Sequence, residues 1–379
     1  MHVAFLTPEY PHPELKGSAG LGTSIKNLAA GLIAKEIQVT VFVYDQQKDV
    51  VFNHHGITIH SIAKRKFKLG GWYLYRNFLQ RYVNKFITQN RINVLEAPDW
   101  TGITAFMSYK CPLIIRLHGS DGYFCNLENR PQKTKNRLFE KSALRRADYI
   151  LSVSQFCADL TSEIFNLKRD IKVIPNGVDT AAFKPEKESE VDFQLLYFGS
   201  IIRKKGVLEL AEIVNRVFAK EERAILIVAG GDVKDIFTQR STQELFLETV
   251  QTQFHNRVHF KGVLPYDEIK TELAKASVVV LPSFAEALPM TWIEAMAMQK
   301  ALVTSDIGWA KEVMIDAQTG FTVDPKNHEK YAHRILELLS NSALREKLGD
   351  AARRRVDSKF ALEHVVDQNI LFYKKVIAD

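Results

Sequence analysis

The stretch Ser277-Val-Val-Val-Leu-Pro-Ser-Phe-Ala-Glu-Ala-Leu-Pro-Met-Thr-Trp-Ile-Glu-Ala-Met-Ala297 decides how this chain is organised. Ser277–Leu281 is a short apolar run rich in β-branched residues, which predicts a buried strand. A loop with two prolines follows, and from about Thr291 the spacing of the apolar residues predicts a helix. A strand that leads through a loop into a helix is part of a βα unit, the repeating element of parallel sheets.

The same alternation extends in both directions along the chain. Apolar strand-like runs that alternate with helical patterns fall into two series, separated by a turn-rich, charged segment at 174–190. The sequence therefore predicts two α/β domains with open, doubly wound parallel sheets, at residues 1–185 and 186–359. Open sheets of this type bind ligands beyond the carboxyl ends of their strands, and a cleft between two of them is a common ligand site.

Composition narrows the class of protein. The 379 residues are 46% hydrophobic and 25% charged, which is ordinary for a globular protein. No apolar run reaches the roughly 18–20 residues of a membrane-spanning helix. The three cysteines form no Cys-x-x-Cys pair, which argues against a disulfide framework and favours the cytoplasm.

The positive charge is concentrated in the first half of the chain. Residues 1–185 hold 25 Lys and Arg against 15 Asp and Glu, a balance of +10, whereas the remainder has 26 against 29, a balance of −3. Between Lys64 and Lys85 there are seven cations and no acids, interleaved with aromatic residues. Two interpretations stay open for this segment: a solvated surface over an amphipathic helix, or a contact with an anionic membrane. The candidate residues are Lys64, Arg65, Lys66, Lys68, Trp72 and Arg76. No recognition motif accompanies the charge, so nucleic acid is not expected as a partner.

Two glutamates follow the predicted strand Ser277–Leu281. Glu286 lies in the loop and Glu294 in the first turns of the helix, so both can line one pocket around a helix N-terminus. Such a terminus presents N–H groups to a phosphate, and carboxylates accept hydrogen bonds from sugar or ribose hydroxyls. The alternative is a helix with acidic residues favourably placed near its positive end.

Three further motifs follow predicted strands. Lys16-Gly-Ser-Ala-Gly-Leu-Gly22 precedes a helix at Ser24–Ala34, and its glycines would let the backbone approach an anion. Its spacing matches neither a dinucleotide fingerprint nor a P-loop. His118 stands at the end of strand Leu113–Leu117, where it is either a structural or a site residue. Arg203-Lys-Lys205 precede a helix near Val207, where an external anion would offset their unfavourable interaction with the helix dipole; a solvated basic turn is the alternative.

The glutamate motif Pro-Ser-x-x-Glu-Ala-Leu-Pro-x-x-x-x-Glu-Ala-Met-Ala resembles the signature of retaining glycosyltransferases of family four. The resemblance covers nearly the whole chain. It includes Ala147–Ser154 and Val173–Asp179 in the central segment, Phe260–Pro265 and Thr319–Val323 in the second half, and Glu96–Trp100 and Leu117–Gly119 in the first. Lys16–Gly22 is similar to the lysine–glycine loop of bacterial glycogen synthases. The resemblance implies the GT-B architecture, in which two Rossmann-like domains face each other across a cleft and the C-terminal helix, here 360–379, returns to the first domain.

The resemblance also implies roles for individual residues. Glu294 would bind the ribose of a nucleotide diphosphate sugar, Glu286 would lie beside the donor sugar, and Lys205 would meet the diphosphate. His118 would contact the reacting sugar. The remaining expected donor-binding residues are Gly20, Gly22, Gly199, Leu288, Pro289, Met290 and Thr291.

Departures from the family pattern concern the phosphates first. The family arginine after the glycine that matches Gly199 is replaced by Ser200, and Arg203 is the candidate to take its place. The family glycine after Ala-Met-Ala is replaced by Gln299, and a frequent Gly-Gly is here Gly308-Trp309.

The expected activity is that of a metal-independent, retaining hexosyltransferase without a cofactor. It would move a sugar from a UDP- or GDP-sugar to a polysaccharide, glycolipid or other glycoconjugate. A lipid-linked acceptor would bring the first domain to the inner face of a membrane. A sugar-nucleotide epimerase of the same fold and an inactive sugar-binding paralogue are the alternatives.

Overall fold

The fold is described from a computed structural model, which covers residues 1–17, 20–185 and 190–379. The chain divides into two compact units. The first unit comprises Met1–Gly177 together with Ala361–Asp379, and the second comprises Val178–Phe360. The crossing at Gly177 lies inside the turn-rich segment that the sequence assigns to the linker. The sequence-based boundary at 185 borders Glu186–Ser189, which lie outside the described residues.

The first unit is built on a sheet to which its described residues contribute eight strands, in the order β3-β4-β2-β1-β5-β6-β7-β8. All neighbouring strands are parallel except β3, which runs antiparallel to β4 at the edge. Most of the strands are buried runs of β-branched and other apolar residues, as expected for a parallel sheet covered by helices. Their bounds are β1 His2–Thr7, β2 Gln38–Gln46, β3 Val50–His54, β4 Ile57–Ala63, β5 Val94–Pro98, β6 Leu113–Leu117, β7 Tyr149–Ser152 and β8 Lys172–Val173.

Six helices accompany this sheet in the part of the first unit that the structure describes. Ser120 and Ser154 begin two of them, because each serine side chain accepts a hydrogen bond from a backbone N–H in the first turn. The helices are α1 Gly20–Ala34, α2 Gly71–Asn90, α3 Asp121–Leu127, α4 Thr134–Arg146, α5 Gln155–Phe165 and, at the end of the chain, α13 Leu362–Ala378.

Helix α13 packs against α1 within the first unit. The contact is close because Gly31 of α1 has no side chain: a Cβ atom there would lie 2.4 Å from Cγ2 of Val366. A buried polar cluster also ties α13 to the sheet. Arg116 of β6 pairs with Glu96 of β5 at 2.6 Å and donates to Asn369 of α13 at 2.5 Å. Tyr373 of α13 donates to Glu96 at 2.8 Å. Since every charged member has a partner, the burial of this ion pair is tolerated.

The described residues of the second unit form six parallel strands in the order β11-β10-β9-β12-β13-β14. Their bounds are β9 Gln194–Phe198, β10 Ile225–Ala229, β11 Val258–Gly262, β12 Val278–Leu281, β13 Ala301–Ser305 and β14 Phe321–Val323. The helices are α6 Val207–Lys220, α7 Thr242–Thr249, α8 Tyr266–Lys275, α9 Met290–Ala297, α10 Ala310–Val313, α11 His328–Ser340 and α12 Ser342–Lys359. The strand, loop and helix predicted from Ser277–Ala297 correspond to β12 and α9.

Candidate active site

The carboxyl end of the second sheet is shaped by two glycines. Gly199 follows β9 with φ 130°, and Gly206 lies in the left-handed region at φ 69° between the 3₁₀ turn Arg203–Lys205 and α6. A Cβ atom on Gly206 would lie 1.9 Å from the carbonyl oxygen of Pro282. Only glycine therefore allows the turn to approach the loop after β12 this closely.

This approach brings together Lys205 and Glu286, two residues that were expected at the donor site. The Lys205 Nζ atom lies 3.3 Å from Oε1 of Glu286, and the Ser283 hydroxyl donates to the same oxygen at 3.0 Å. The backbone N–H of Phe284 donates to the carbonyl of Lys204 at 2.8 Å, which fixes the loop against the turn. A lysine and a carboxylate held together at a strand end can interact with a diphosphate and with sugar hydroxyls, respectively.

Glu294 is buried in α9, with only 6% of its surface exposed. The Tyr266 hydroxyl, at the start of α8, donates to its Oε1 atom at 2.9 Å. Burial raises the pKa of Glu294 to about 7, while the Tyr266 hydrogen bond and the positive charge of Lys205 oppose that shift. Glu294 therefore ionises close to neutral pH, and the ammonium group of Lys205 is close enough to interact with it electrostatically.

Several backbone N–H groups at the N-terminus of α9 have no acceptor among the described residues. Pro289 precedes the helix, and its carbonyl accepts from the N–H of Trp292 at 3.1 Å. Among the described residues no acceptor pairs with the N–H groups of Leu288, Met290 or Thr291. The first N–H groups of a helix commonly bind anions when they are unpaired.

Arg203 is placed differently from the expectation. Its guanidinium forms a two-point pair with Asp235, at 2.6 and 3.0 Å, in the loop after β10. Asp235 is fully buried and also accepts from the N–H and the hydroxyl of Thr238, each at 2.9 Å. The Arg203 guanidinium and the two hydrogen bonds from Thr238 hold the pKa of Asp235 well below its usual range, against the opposing effect of burial. The two hydrogen-bonding edges of the Arg203 guanidinium that could bind a phosphate are thus used by the carboxylate of Asp235.

In the first unit, His118 stands directly after β6. Its backbone N–H donates to Oδ1 of Asp99, at 3.0 Å. Burial lowers the pKa of the His118 side chain to about 3, with a further contribution from the positive charge of Arg116. The imidazole is therefore neutral at physiological pH. Burial likewise raises the pKa of Asp99 to about 8, and no described residue contacts its buried Oδ2 atom by a hydrogen bond.

The glycine loop is only partly described, because Ser18 and Ala19 lie outside the described residues. Gly20 begins α1, and the backbone N–H of Gly22 donates to Oε1 of Glu9 at 2.8 Å. The Lys16 ammonium donates to the carbonyl of Asp45. A carboxylate of the chain thus accepts the N–H of Gly22, one of the two glycines expected to let the backbone approach the phosphates.

The cations of the basic segment after β4 differ in their surroundings: some are paired with acids, some are exposed, and one is buried. Lys64 pairs with Asp45 at 2.8 Å and Arg65 pairs with Asp49, while Lys66 and Lys68 are exposed and Trp72 is 42% exposed. The assignment of Arg76 to this surface is wrong. Its guanidinium is buried, lies 4.2 Å from the centre of the Phe139 ring and donates to the carbonyl of Gly102 at 3.2 Å. The helical spacing of α2 turns this position inward, toward Leu79 and Val83.

Three residues with clear structural roles escaped the sequence reasoning. Asp99 is part of a motif that the sequence matched without giving it a role, whereas Asp235 and Tyr266 belong to no motif.

Within the described ranges no helix is long and apolar enough to span a bilayer. In the same ranges, no group of three or more His, Cys, Asp or Glu side chains is arranged to hold a metal ion.

Comparison with known proteins agrees with this architecture. Residues 178–355 match the family model described as Glycosyl transferases group 1, and residues 18–182 match that of Glycosyltransferase Family 4. Alpha-maltose-1-phosphate synthase of Mycolicibacterium smegmatis is 27% identical over 410 residues, covering 100% of both chains.

Two solved structures share the fold over almost the whole chain. Sucrose-phosphate synthase of Thermosynechococcus elongatus superposes with a TM-score of 0.81 at 20% identity, over 100% of this chain and 99% of that one. Anabaena HepE, solved in complex with UDP-glucose, gives a TM-score of 0.78 at 18% identity, over 99% and 100%. The predicted GT-B fold class is confirmed. The fold and the two family matches together define the chain as a GT-B glycosyltransferase.

Proposed function

We propose that the chain is a retaining glycosyltransferase of family four, and that it transfers a hexose from a UDP- or GDP-sugar to a glycan or lipid-linked acceptor. The observation that carries the proposal is the meeting of Glu294, the Lys205–Glu286 pair and the α9 N-terminus at one end of the second sheet. A nucleotide diphosphate sugar offers a partner for each of these groups. The UDP-glucose bound to HepE, a protein of the same fold, supports this donor class.

Each group has a chemical task in this proposal. Ionised Glu294 accepts hydrogen bonds from the ribose, and Glu286 accepts from hydroxyls of the donor sugar. Lys205 and the free N–H groups of Leu288 and Met290 stabilise the diphosphate. Gly199 leaves room beside Lys205, since a Cβ atom there would lie 3.4 Å from its Nζ atom. Arg203 acts indirectly, because its pair with Asp235 fixes the turn that carries Lys205.

The transfer breaks the bond between the anomeric carbon and the diphosphate oxygen. A bond from the acceptor hydroxyl oxygen to the same carbon forms on the same face, and the hydroxyl proton passes to the departing diphosphate. Negative charge grows on that diphosphate in the transition state, where Lys205 and the α9 N–H groups are fixed in advance to stabilise it. We propose that these groups suffice without a metal. Neutral His118 is proposed to hydrogen-bond the reacting sugar rather than to protonate it.

The acceptor is proposed to reach the first unit at a membrane surface, with the protein on the cytoplasmic side. Around the N-terminus of α2, Leu69 is 85% exposed and Tyr73 is 50% exposed, next to the exposed Lys66 and Lys68. Exposed aromatic and apolar side chains among cations suit the interface of an anionic bilayer. This segment follows the carboxyl end of β4, the same end of the parallel sheet from which His118 follows β6.

Product analysis with a panel of UDP- and GDP-sugars tests the function and separates it from its alternatives. We expect one donor to be consumed with release of nucleoside diphosphate, and the new glycoside to keep the anomeric configuration of the donor, as read by NMR. Addition of EDTA should leave the rate unchanged. An epimerase would yield an altered free sugar and nucleotide without any acceptor. An inactive paralogue would be stabilised thermally by a donor but release nothing.

Co-sedimentation with vesicles tests the proposed membrane surface. We expect the chain to bind vesicles rich in anionic lipid at low salt, and binding to fall when salt is raised. The double variant Leu69→Ser/Tyr73→Ser should bind less, while its nucleotide release with a soluble acceptor stays unchanged. Failure of the wild-type chain to bind anionic vesicles at low salt would contradict the membrane part of the proposal alone.

A further inference from the structure

Tyr266 and Glu294 form a contact to which neither the motif nor the family resemblance assigns a role. The Tyr266 hydroxyl donates to Oε1 of Glu294 at 2.9 Å. No described residue donates a hydrogen bond to the second carboxylate oxygen, Oε2. The chain thus uses one oxygen of this carboxylate and leaves the other for a ligand.

The Tyr266 ring is held in place from behind. It meets the ring of Phe183 edge-on, at 5.3 Å between centres and 89° between planes, and Phe183 is 1% exposed. Tyr266 itself is 42% exposed. Its buried edge is therefore fixed and its hydroxyl points to Glu294, while part of the ring borders open surface. A rigid aromatic donor at the edge of a site is suited to orienting a carboxylate.

Few charged groups face Glu294 from the elements around it. Lys205, in the 3₁₀ turn, interacts electrostatically with Glu294. The other side of Lys205 forms the ion pair with Glu286. Asp179, in the segment before β9, interacts electrostatically with the Tyr266 hydroxyl. On α12, which packs against α9, Arg353 donates to the carbonyl of Ala297 at the opposite end of α9. Tyr266 is thus the one neutral hydrogen-bond donor to this carboxylate among the described residues.

We propose that Tyr266 is the positioning residue of the donor site: its hydroxyl orients Glu294 so that Oε2 is presented, ionised, to the ribose of the nucleotide. The inference rests on the proposed function, since it takes Glu294 as the ribose ligand. Tyr266 acts through Glu294 and need not touch the reacting atoms. Loss of the hydroxyl frees the carboxylate to rotate and makes its ionised form less favourable, because a hydrogen bond to the charged form stabilises it.

A double-mutant cycle measured by titration calorimetry with UDP and with GDP tests this coupling. Tyr266→Phe should weaken binding of the preferred nucleotide about five-fold at pH 7, as expected when a carboxylate pKa near neutrality rises by about one unit. In a Glu294→Gln background, Tyr266→Phe should change affinity by less than two-fold, since the interaction is already lost. An equal loss in both backgrounds would show that Tyr266 acts on the ligand independently, and would overturn the proposal.

The pH profile supplies a readout that a merely structural tyrosine would not move. Binding to the wild-type chain should weaken as pH falls through about 7, where Glu294 takes up a proton. In Tyr266→Phe the same weakening should begin about one pH unit higher. An unchanged midpoint in this variant would contradict the proposal.

Tyr149→Phe is the matched control. Tyr149, in the first unit, also donates its hydroxyl to a carboxylate, that of Asp379, at 2.8 Å. Its removal should leave nucleotide binding and the pH profile unchanged. Failure of the donor-site assignment is distinguishable from failure of this inference. If Glu294→Gln binds as tightly as the wild type, the donor site is misassigned; if it does not, while Tyr266→Phe matches the wild type, only the role of Tyr266 fails.

Discussion

Two buried carboxyl groups lie near the carboxyl ends of the two sheets, and their surroundings differ. Glu294 in the second unit has a tyrosine hydroxyl on one oxygen and a lysine nearby. Asp99 in the first unit receives the backbone N–H of His118, and its buried Oδ2 atom has no hydrogen-bond partner within the described ranges. Burial raises the pKa of both groups, to about 7 and about 8.

The difference indicates two kinds of surface. The end of the second sheet combines a carboxylate that ionises near neutrality with a cation and free helix N–H groups, which suits a charged ligand with hydroxyls. The corresponding end of the first sheet holds a neutral imidazole and a carboxyl group that stays protonated up to about pH 8. Neutral hydrogen-bonding groups suit an uncharged partner such as a sugar.

Lys205→Met should cause the largest loss of activity. Removing a positive charge aimed at the leaving diphosphate is expected to lower kcat about 10²–10³-fold, the typical cost of losing one preorganised electrostatic group. Steady-state nucleotide release measures it. Lys204→Met is the matched control, because the backbone carbonyl of Lys204, which the substitution keeps, holds the Phe284 loop. Similar losses in both variants would mean that the turn tolerates no substitution, and that Lys205 has no special role.

Asp235→Asn should destabilise the second unit by about 2 kcal/mol, less than the loss of a fully buried ion pair because Arg203 is partly solvated. Since the folded pKa of Asp235 lies below its unfolded value near 4, the pair stabilises the wild type above that pH, and the stabilisation fades as pH falls through the folded pKa. Urea unfolding at pH 7 and pH 3 should therefore show a larger difference between variant and wild type at pH 7. A difference that is equal at both values would contradict the assigned ionic state.

Asp99→Asn should change the pH dependence of stability in the opposite sense. The folded pKa of Asp99, about 8, lies above its unfolded value near 4, so the wild-type unit loses stability as pH rises between these values. The variant lacks this titration. We expect its melting temperature, relative to the wild type, to rise from pH 5 to pH 8.5. A relative melting temperature that falls over the same range would remove the contrast between the two carboxyl groups.

Arg76→Met and Lys68→Met should give the smallest effects, and unequal ones. The buried guanidinium of Arg76 packs on Phe139 and donates to Gly102, so its loss should cost about 1–2 kcal/mol of stability. Lys68 is exposed, and its loss should stay within about 0.5 kcal/mol. Vesicle binding should reverse this order, with Lys68→Met the weaker binder. Equal vesicle binding by both variants would argue against the proposed membrane surface.

The sequence predicted the elements that depend on local pattern. Strand β12, the loop and helix α9 lie in one continuous stretch, so their apolar spacing and two glutamates could be interpreted together. The pairing of Lys205 with Glu286 was not visible, because it depends on Gly206 letting a distant turn approach Pro282. The burial of Arg76 was missed because its charge was counted with neighbouring exposed cations, although its spacing from Leu79 and Val83 places it on the inner face of α2.

Long-range polar partners were beyond sequence reasoning. Arg203 was expected at the phosphates because it is a cation near a helix start, and nothing in the sequence links it to Asp235 in another loop. Tyr266 likewise begins a helix with no motif of its own, yet reaches Glu294. Such contacts are set by the packing of several elements, which no local pattern encodes.

Donor-dependent nucleotide release by the wild-type chain and by Glu294→Ala is the measurement that tests the central claim most directly. With the sugar nucleotide that the wild type consumes, at a donor concentration below its KM, we predict a loss of at least a hundred-fold in the variant, roughly the removal of two charge-assisted hydrogen bonds. Its circular dichroism spectrum should match that of the wild type. Equal release by a folded Glu294→Ala variant would contradict the assignment of the donor site to the second unit.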